Sequence, residues 1–148
     1  MRALLQRVSR AEVRVADEVV GSISTGLVVL LGVGPDDDEV TADRLARRVT
    51  ELRIFDDDAG QTNRSLMDVA GEVLVVSQFT LYADTSRGRR PGFTGAAPPE
   101  RAQRLYERFA AALRDLDVVV ATGRFGAAME VELVNDGPFT IWLDTAVR

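Results

Sequence analysis

The sequence lacks cysteine and histidine, and all 18 of its basic residues are arginine. Without cysteine and histidine the chain cannot form disulfides, the usual zinc sites, cysteine nucleophiles or histidine-driven triads. The absence of lysine also excludes Schiff-base catalysis and the phosphate-binding lysine of a P-loop. An enzyme of this composition must therefore rely on Asp, Glu, Ser, Thr, Tyr, Arg or the backbone.

Long apolar runs, internal repeats and low-complexity segments are missing as well. No apolar run approaches the roughly 20 residues of a membrane-spanning helix, and no basic leader precedes an apolar segment. We therefore predict a cytoplasmic protein without a membrane partner. The 148 residues are 46% hydrophobic and 28% charged, a composition typical of one globular domain, here residues 1–148.

The charge is acidic overall but unevenly distributed. A net charge of -5 argues against nonspecific nucleic-acid binding, and no DNA partner is expected. The acidic clusters at 36–39 and 56–58 lack the spacing of a calcium loop, so we predict no metal site. Residues 86–99 contain three arginines, Arg87, Arg89 and Arg90, and no acid. This segment is either a solvated loop or a phosphate-contacting loop, since arginine suits phosphate oxygens.

The hydrophobic pattern predicts an α+β domain with mixed, mainly antiparallel sheet layers and two amphipathic helices on one face. Strands are expected at 3–8, 11–15, 18–23, 26–33, 53–55, 72–81, 118–122, 127–134 and 139–143. Helices are expected at 37–52 and from Pro98 through Leu116.

Three hydrogen-bonding side chains interrupt the apolar strand at 72–81, in the run Ser77, Gln78, Phe79 and Thr80. The residues alone favour an ordinary strand end. The functional alternative is that these groups face a cleft, where backbone N–H groups beyond the sheet ladder stabilise an oxyanion.

The segment Asn135, Asp136, Gly137 and Pro138 has the composition of a hairpin turn, which the residues alone favour. Pro138 does not fit that interpretation well, because it precedes an apolar strand and cannot donate to a sheet ladder. An edge position, a bulge or a special feature is the alternative.

Two long segments of the chain resemble the D-aminoacyl-tRNA deacylase family. They are VVSQFTLYADTSRGRRPGF and TGRFGAAMEVELVNDGPFT, and LLQRV, GLVVLLGV and LRIFDDDAG also fit. The resemblance covers essentially the whole chain. It implies an enzyme without a cofactor that hydrolyses the ester bond of D-aminoacyl-tRNA. It also implies cleavage of glycyl-tRNA in which glycine is mischarged onto tRNA-Ala.

The resemblance also implies a homodimer with its active sites at the subunit interface. The family's SQ-aromatic-T element corresponds to residues 77–80, which are the expected catalytic group. Its Asn-x-Gly-Pro-x-Thr element corresponds to Asn135, Gly137, Pro138 and Thr140. In the family the Gly-Pro bond is cis and inserts into the partner's site, where the two carbonyl groups exclude an L side chain.

The family mechanism explains why so few catalytic side chains are needed. The terminal 2′-OH of the tRNA assists hydrolysis, and backbone N–H groups near Phe79 and Thr80 serve as oxyanion donors worth ~3–4 kcal/mol each. Thr80 is not expected to be an acylated nucleophile, because no plausible base lies near it in the sequence.

The implied partner is the tRNA acceptor end, with its terminal adenosine in a pocket and phosphates on Arg87, Arg89 and Arg90. Arg7 is expected to support the Gly-Pro loop. The chain departs from the family at Gly92, where a serine is common, and this removes the hydroxyl on which a polar role would depend.

Two other functions remain possible from the sequence. One is a noncatalytic dimer that binds tRNA acceptor ends, and the other is an interaction domain whose arginine loop contacts a protein. Both intact elements, SQFT and NDGPFT, favour the enzyme, since a binding protein has no evident need of both.

Overall fold

Eight strands, two α-helices and one 3-10 turn form the structure, a computed structural model that describes residues 1–147. The strands are β1 (Arg2–Val15), β2 (Glu18–Ile23), β3 (Gly26–Gly32), β4 (Arg53–Asp56), β5 (Thr62–Ser65), β6 (Glu72–Ser77), β7 (Val120–Thr122) and β8 (Glu130–Asp144). The helices are α1 (Glu39–Glu51) and α2 (Pro99–Asp115), and the 3-10 turn is Phe79–Tyr82.

The long strand β1 organises the six-stranded main sheet. Along one edge it pairs antiparallel with β3 and then with β2, and along its other edge it pairs antiparallel with β8. Strand β6 joins β3 in parallel, β7 joins β6 in parallel, and β4 and β5 form a separate ribbon. The mixed, mainly antiparallel sheet predicted from the sequence is confirmed.

Both helices pack on the same face of this sheet. The main core cluster combines the apolar stripes of α1 and α2 with alternate residues of β3, Leu27, Val29 and Leu31. The intervening residue Val28 belongs to a second cluster on the opposite face. The continuous apolar run of β3 thus reflects burial on both faces, and the predicted α+β single domain is confirmed. Among residues 1–147 no helix is long and apolar enough to cross a membrane.

The acidic clusters serve as caps and turns. Asp38 caps α1 by accepting from the Thr41 N–H at 2.8 Å, and it also accepts from the Thr41 hydroxyl; these bonds lower the pKa of Asp38. Asp57 accepts from the Gln61 N–H at 2.9 Å, a bond that lowers its pKa. Because Asp38 is the cap, α1 begins two residues later than predicted.

Three features of the strands differ from the prediction. The break at 9–10 is absent, because β1 is continuous there with both polar side chains exposed. Strand β5 lies at residues 62–65, where no strand was predicted. The strand predicted to reach residue 81 ends at Ser77.

Candidate active site

The chain leaves the sheet abruptly after Ser77. The Gln78 N–H donates the last sheet bond, to the Leu31 carbonyl at 2.8 Å, and the Leu81 N–H then closes the 3-10 turn on the Gln78 carbonyl at 3.2 Å. Residues 77–80 therefore sit at a strand end, as the simpler interpretation predicted. Two of them, Ser77 and Phe79, also line a cavity.

Two backbone donors are left unpaired by this geometry. Within residues 1–147, neither the Phe79 N–H nor the Thr80 N–H donates to an acceptor, because both precede the first closed bond of the turn. Both residues are exposed, and the Gln78 side-chain amide donates to the Thr80 hydroxyl. The turn thus presents two adjacent N–H groups that can bind an oxygen carrying negative charge.

A largely apolar cavity of about 430 Å³ adjoins the turn. Ser77 and Phe79 form one wall, the first turn of α2 forms another, and Phe125 and Met129 contribute a third. Within the described residues, no charged side chain lines it. Its size lies within the roughly 300–1,000 Å³ of small-molecule sites, and its walls suit a flat apolar group.

The back of the turn is held by Arg2, which sequence reasoning missed. Its Nη1 donates to the Leu81 carbonyl at 3.0 Å, and its Nε donates to Asp144 at 3.1 Å. The guanidinium lies 4.4 Å from the ring centre of Tyr82 and 5.8 Å from that of Trp142. In the sequence Arg2 is only the first residue of a strand, so no local signal marks it.

Tyr82 completes this support. Burial and the neighbouring Asp37 carboxylate raise the pKa of the Tyr82 hydroxyl. A Cβ at Gly34 would lie 2.8 Å from the Tyr82 hydroxyl oxygen, which shows how closely the backbone packs on this ring. The turn is therefore fixed by groups that lie outside the SQFT element.

The Gly137–Pro138 segment is a bulge within one strand, and the predicted hairpin turn is wrong. Val8 pairs with Asn135 and Gln6 pairs with Thr140, so Arg7 alone faces residues 136–139. The chain keeps its direction, and the strands predicted at 127–134 and 139–143 are two halves of β8. The bulge suits Pro138, which has no N–H for the ladder. The Gly137–Pro138 peptide bond is cis.

Buried Arg7 holds the base of this bulge, as expected. Its guanidinium donates to the carbonyls of Ile54 at 2.7 Å, Asp136 at 3.0 Å and Gly137 at 3.3 Å. It also lies 4.5 Å from the ring centre of Phe139. Three carbonyls from two segments thereby share one planar donor group.

Asn135 and Thr140 fix the two ends of the bulge. The Asn135 amide donates to the Arg7 carbonyl at 2.8 Å and to the Phe139 carbonyl at 3.1 Å. The Thr140 hydroxyl accepts from the Gln6 amide at 3.2 Å. None of residues 135–140 lines the cavity beside the 3-10 turn. One protomer therefore does not bring the two elements together.

The arginine loop is closed by two backbone bonds between Asp84 and Gly92, of 2.7 and 2.9 Å. The loop between these two residues exposes Arg87, Arg89 and Arg90, and none of the three forms an ion pair within the described chain. A Cβ at Gly92 would meet open space, so replacing the family's serine costs no packing.

Phe93 ties the base of the arginine loop to the 3-10 turn. Its ring lies edge-on to Phe79, with 5.1 Å between the ring centres, and both rings line the cavity. The loop and the unpaired N–H groups therefore belong to one region of the surface.

Known proteins match this chain over nearly its full length. The model of a family described as D-Tyr-tRNA(Tyr) deacylase matches residues 4–144. A D-aminoacyl-tRNA deacylase of Roseiflexus sp. (strain RS-1) is 62% identical over 99% of this chain and 95% of its own length. One from Paracoccus denitrificans (strain Pd 1222) is 59% identical over 100% of this chain and 99% of its own length.

Solved structures agree with the sequence matches. One, described as a c-Myc DNA unwinding element binding protein, has a TM-score of 0.92 at 39% identity and covers 98% of this chain and 99% of its own. A second, described as a probable eukaryotic D-amino acid tRNA deacylase, has a TM-score of 0.84 at 19% identity and shows the shared fold. The chain thus belongs to the D-aminoacyl-tRNA deacylase family, and it is a hydrolase that acts on aminoacyl-tRNA.

Proposed function

We propose that the protein hydrolyses the ester bond of D-aminoacyl-tRNA beside the 3-10 turn and releases the free amino acid and tRNA. The observation that carries this proposal is the pair of unpaired N–H groups at Phe79 and Thr80, at the rim of an apolar cavity. An acyl ester is already activated, so positioning and oxyanion stabilisation account for most of the chemistry.

In the proposed reaction, water attacks the carbonyl carbon of the ester, and the carbonyl oxygen becomes an oxyanion. The N–H groups of Phe79 and Thr80 donate to this oxyanion, at ~3–4 kcal/mol each. The terminal 2′-OH of the tRNA accepts a proton from the attacking water and passes its own proton to the departing ribose oxygen. The carbon–oxygen ester bond then breaks, the ribose oxygen leaves as a hydroxyl, and the amino acid leaves with a free carboxyl group. No side chain has to act as a base, which suits a chain without histidine.

The cavity suits the terminal adenosine of the acceptor end. Phe93, Phe125 and Met129 offer apolar surfaces for a base, since every base has a face that stacks on such side chains. Arg87, Arg89 and Arg90 extend from the same region and are free to contact phosphates. Local binding of this kind is compatible with a net charge of -5.

The Gly137–Pro138 bulge is proposed to act in the partner's site within a homodimer. Three observations support this: residues 136–138 are exposed, Arg7 holds them rigidly, and they do not line their own protomer's cavity. The carbonyls and the proline ring would occupy the space that an L side chain needs. Glycine has no side chain, so glycyl-tRNA mischarged on tRNA-Ala would be cleaved too.

The decisive experiment compares the release of labelled amino acid from D-Tyr-tRNA and L-Tyr-tRNA, with glycyl-tRNA-Ala alongside, at catalytic amounts of protein. We expect rapid release from the D and glycyl substrates alone. Pro138→Ala should admit the L substrate, whereas Pro35→Ala, which changes an exposed proline elsewhere, should not. Equal cleavage of D and L substrates by the unmodified protein would overturn the chirality argument, and cleavage of neither would leave a noncatalytic binder.

Because aminoacyl-tRNA is made and used in the cytoplasm, we place the enzyme there.

A further inference from the structure

We propose that a second cavity, between α2 and residues 122–125, binds the phosphodiester backbone of the single-stranded 3′ end of the tRNA. The cavity has a volume of about 320 Å³ and includes two arginines, Arg114 and Arg124, in its lining. The proposal rests on the function proposed above, because it assigns the path that the RNA follows once its terminal nucleoside occupies the first cavity.

The two cavities share one aromatic lining residue. Phe125 lines both of them, and its ring centre lies 5.9 Å from that of Tyr106, at an interplanar angle of 46°. Along α2, Ala102 belongs to the first cavity and Gln103 to the second. A strand leaving the first cavity past Phe125 therefore enters the second directly.

The Tyr106 ring beside Phe125 is held in the core. Tyr106 is buried, and its hydroxyl donates to the Val75 carbonyl at 3.1 Å, which anchors the ring to the sheet. Sites for single-stranded nucleic acid combine such aromatic surfaces with a positively charged groove that follows the backbone. Phe125, which Tyr106 supports from the core, provides the first component, and the second cavity provides the other.

The charges in the second cavity favour an anion. Arg114 comes from the last turn of α2 and Arg124 from the loop after β7, and neither forms an ion pair within residues 1–147. Both are therefore free to bind an anion, unlike Arg10, which is paired with Glu132. A guanidinium can contact two phosphate oxygens at once, which makes a phosphodiester a suitable partner.

One acidic residue, Glu107, also lines the second cavity, and its charge allows a second test of the phosphate path. Glu107 accepts from the Gln103 amide at 3.1 Å, and it is the only carboxylate among the lining residues of this cavity. Its charge opposes the binding of a polyanion. A phosphate path therefore predicts opposite effects for removing Glu107 and for removing either arginine.

The test measures KM and kcat on two substrates, D-Tyr-tRNA and the D-tyrosyl ester of adenosine, which carries no phosphate. We expect Arg114→Gln and Arg124→Gln each to raise the KM for D-Tyr-tRNA about tenfold, with kcat unchanged. Both should leave the adenosine ester unaffected. Glu107→Gln should lower the KM for D-Tyr-tRNA, and Arg47→Gln, an exposed arginine of α1 that lines neither cavity, should change nothing.

The outcomes separate this inference from the function on which it rests. If the arginine variants keep the normal KM for D-Tyr-tRNA, or raise it equally for the adenosine ester, the phosphate path is wrong and the deacylase proposal stands. If the unmodified protein cleaves neither substrate, the deacylase proposal fails. Anisotropy titration of labelled pCpCpA then tests the phosphate path. The path requires that Arg114→Gln bind this oligonucleotide more weakly. It also requires that the slope of the log binding constant against log salt concentration become shallower by about 0.7 per lost phosphate contact.

Discussion

At the scale of single residues, Arg7 holds the Gly137–Pro138 bulge through hydrogen bonds to the carbonyls of Asp136 and Gly137. We expect Arg7→Lys to reduce the D-to-L rate ratio about tenfold, because an ammonium keeps the charge but cannot reach three carbonyls at once. Arg7→Ala should also destabilise the fold by roughly 1–3 kcal/mol, since the carbonyl of buried Ile54 loses its donor. Rates on D-Tyr-tRNA and L-Tyr-tRNA, together with urea unfolding, measure both effects. An unchanged rate ratio in Arg7→Lys would show that the guanidinium does not orient the bulge.

Thr80 tests whether a side chain or the backbone performs the chemistry. The proposed mechanism uses the Thr80 N–H, which Thr80→Val retains, so we expect the rate on D-Tyr-tRNA to fall no more than about tenfold. Thr62→Val, an exposed threonine of β5, is the matched control. A loss of a thousandfold or more would contradict the backbone mechanism and make the hydroxyl a reacting group.

At the scale of elements, tertiary pairing overrides two local patterns. The run at 72–81 has strand composition throughout, yet the last ladder bond is made by Gln78 and the chain then turns. The NDGP segment has turn composition, yet both of its flanks pair with β1. Sequence reasoning located both candidate elements because their residue types are unusual. It could not give their geometry, which depends on the partner strands β3 and β1.

Arg2 shows why part of the site could not be predicted. It lies far from residues 77–82 in sequence, and only the sheet brings its guanidinium to the Leu81 carbonyl. We expect Arg2→Gln to lower kcat on D-Tyr-tRNA about tenfold with little change in KM, because the turn's N–H groups lose their fixed position. Arg2→Lys should recover part of this loss through its charge. Arg10→Gln, an exposed arginine of the same strand, is the control. A raised KM at normal kcat would mean that Arg2 affects binding alone.

At the scale of the whole molecule, the pair Asp43 and Arg108 joins α1 to α2 at 2.6 and 2.7 Å. The hydrogen bond from Arg108 lowers the pKa of Asp43. The pair therefore adds stability above the unfolded pKa of about 3.9 and loses it as the pH falls through the lower folded value. We expect Asp43→Asn to cost about 0.2–1 kcal/mol at pH 7, the range for exposed pairs. This difference should shrink below about pH 4. Urea unfolding at both pH values measures it, and a constant difference would contradict the assignment.

The free edge of β8 supports the proposed homodimer. This 15-residue strand pairs only with β1 within residues 1–147, and it exposes Val134. Long edge strands with apolar side chains are normally covered, since an open edge invites pairing with another chain. A second copy seated on this edge would also bring its Gly137–Pro138 bulge towards the first protomer.

Val134→Lys tests this arrangement, because a charge on the edge disfavours pairing of the two chains. Sedimentation should give the mass of two chains for the unmodified protein and of one chain for the variant. The single chain keeps its N–H groups and its cavity but lacks the partner's bulge, so we expect it to cleave D-Tyr-tRNA and L-Tyr-tRNA at similar rates. Val40→Lys, an exposed valine of α1, should remain dimeric and selective. A monomeric variant that still rejects the L substrate would show that each protomer checks chirality with its own residues.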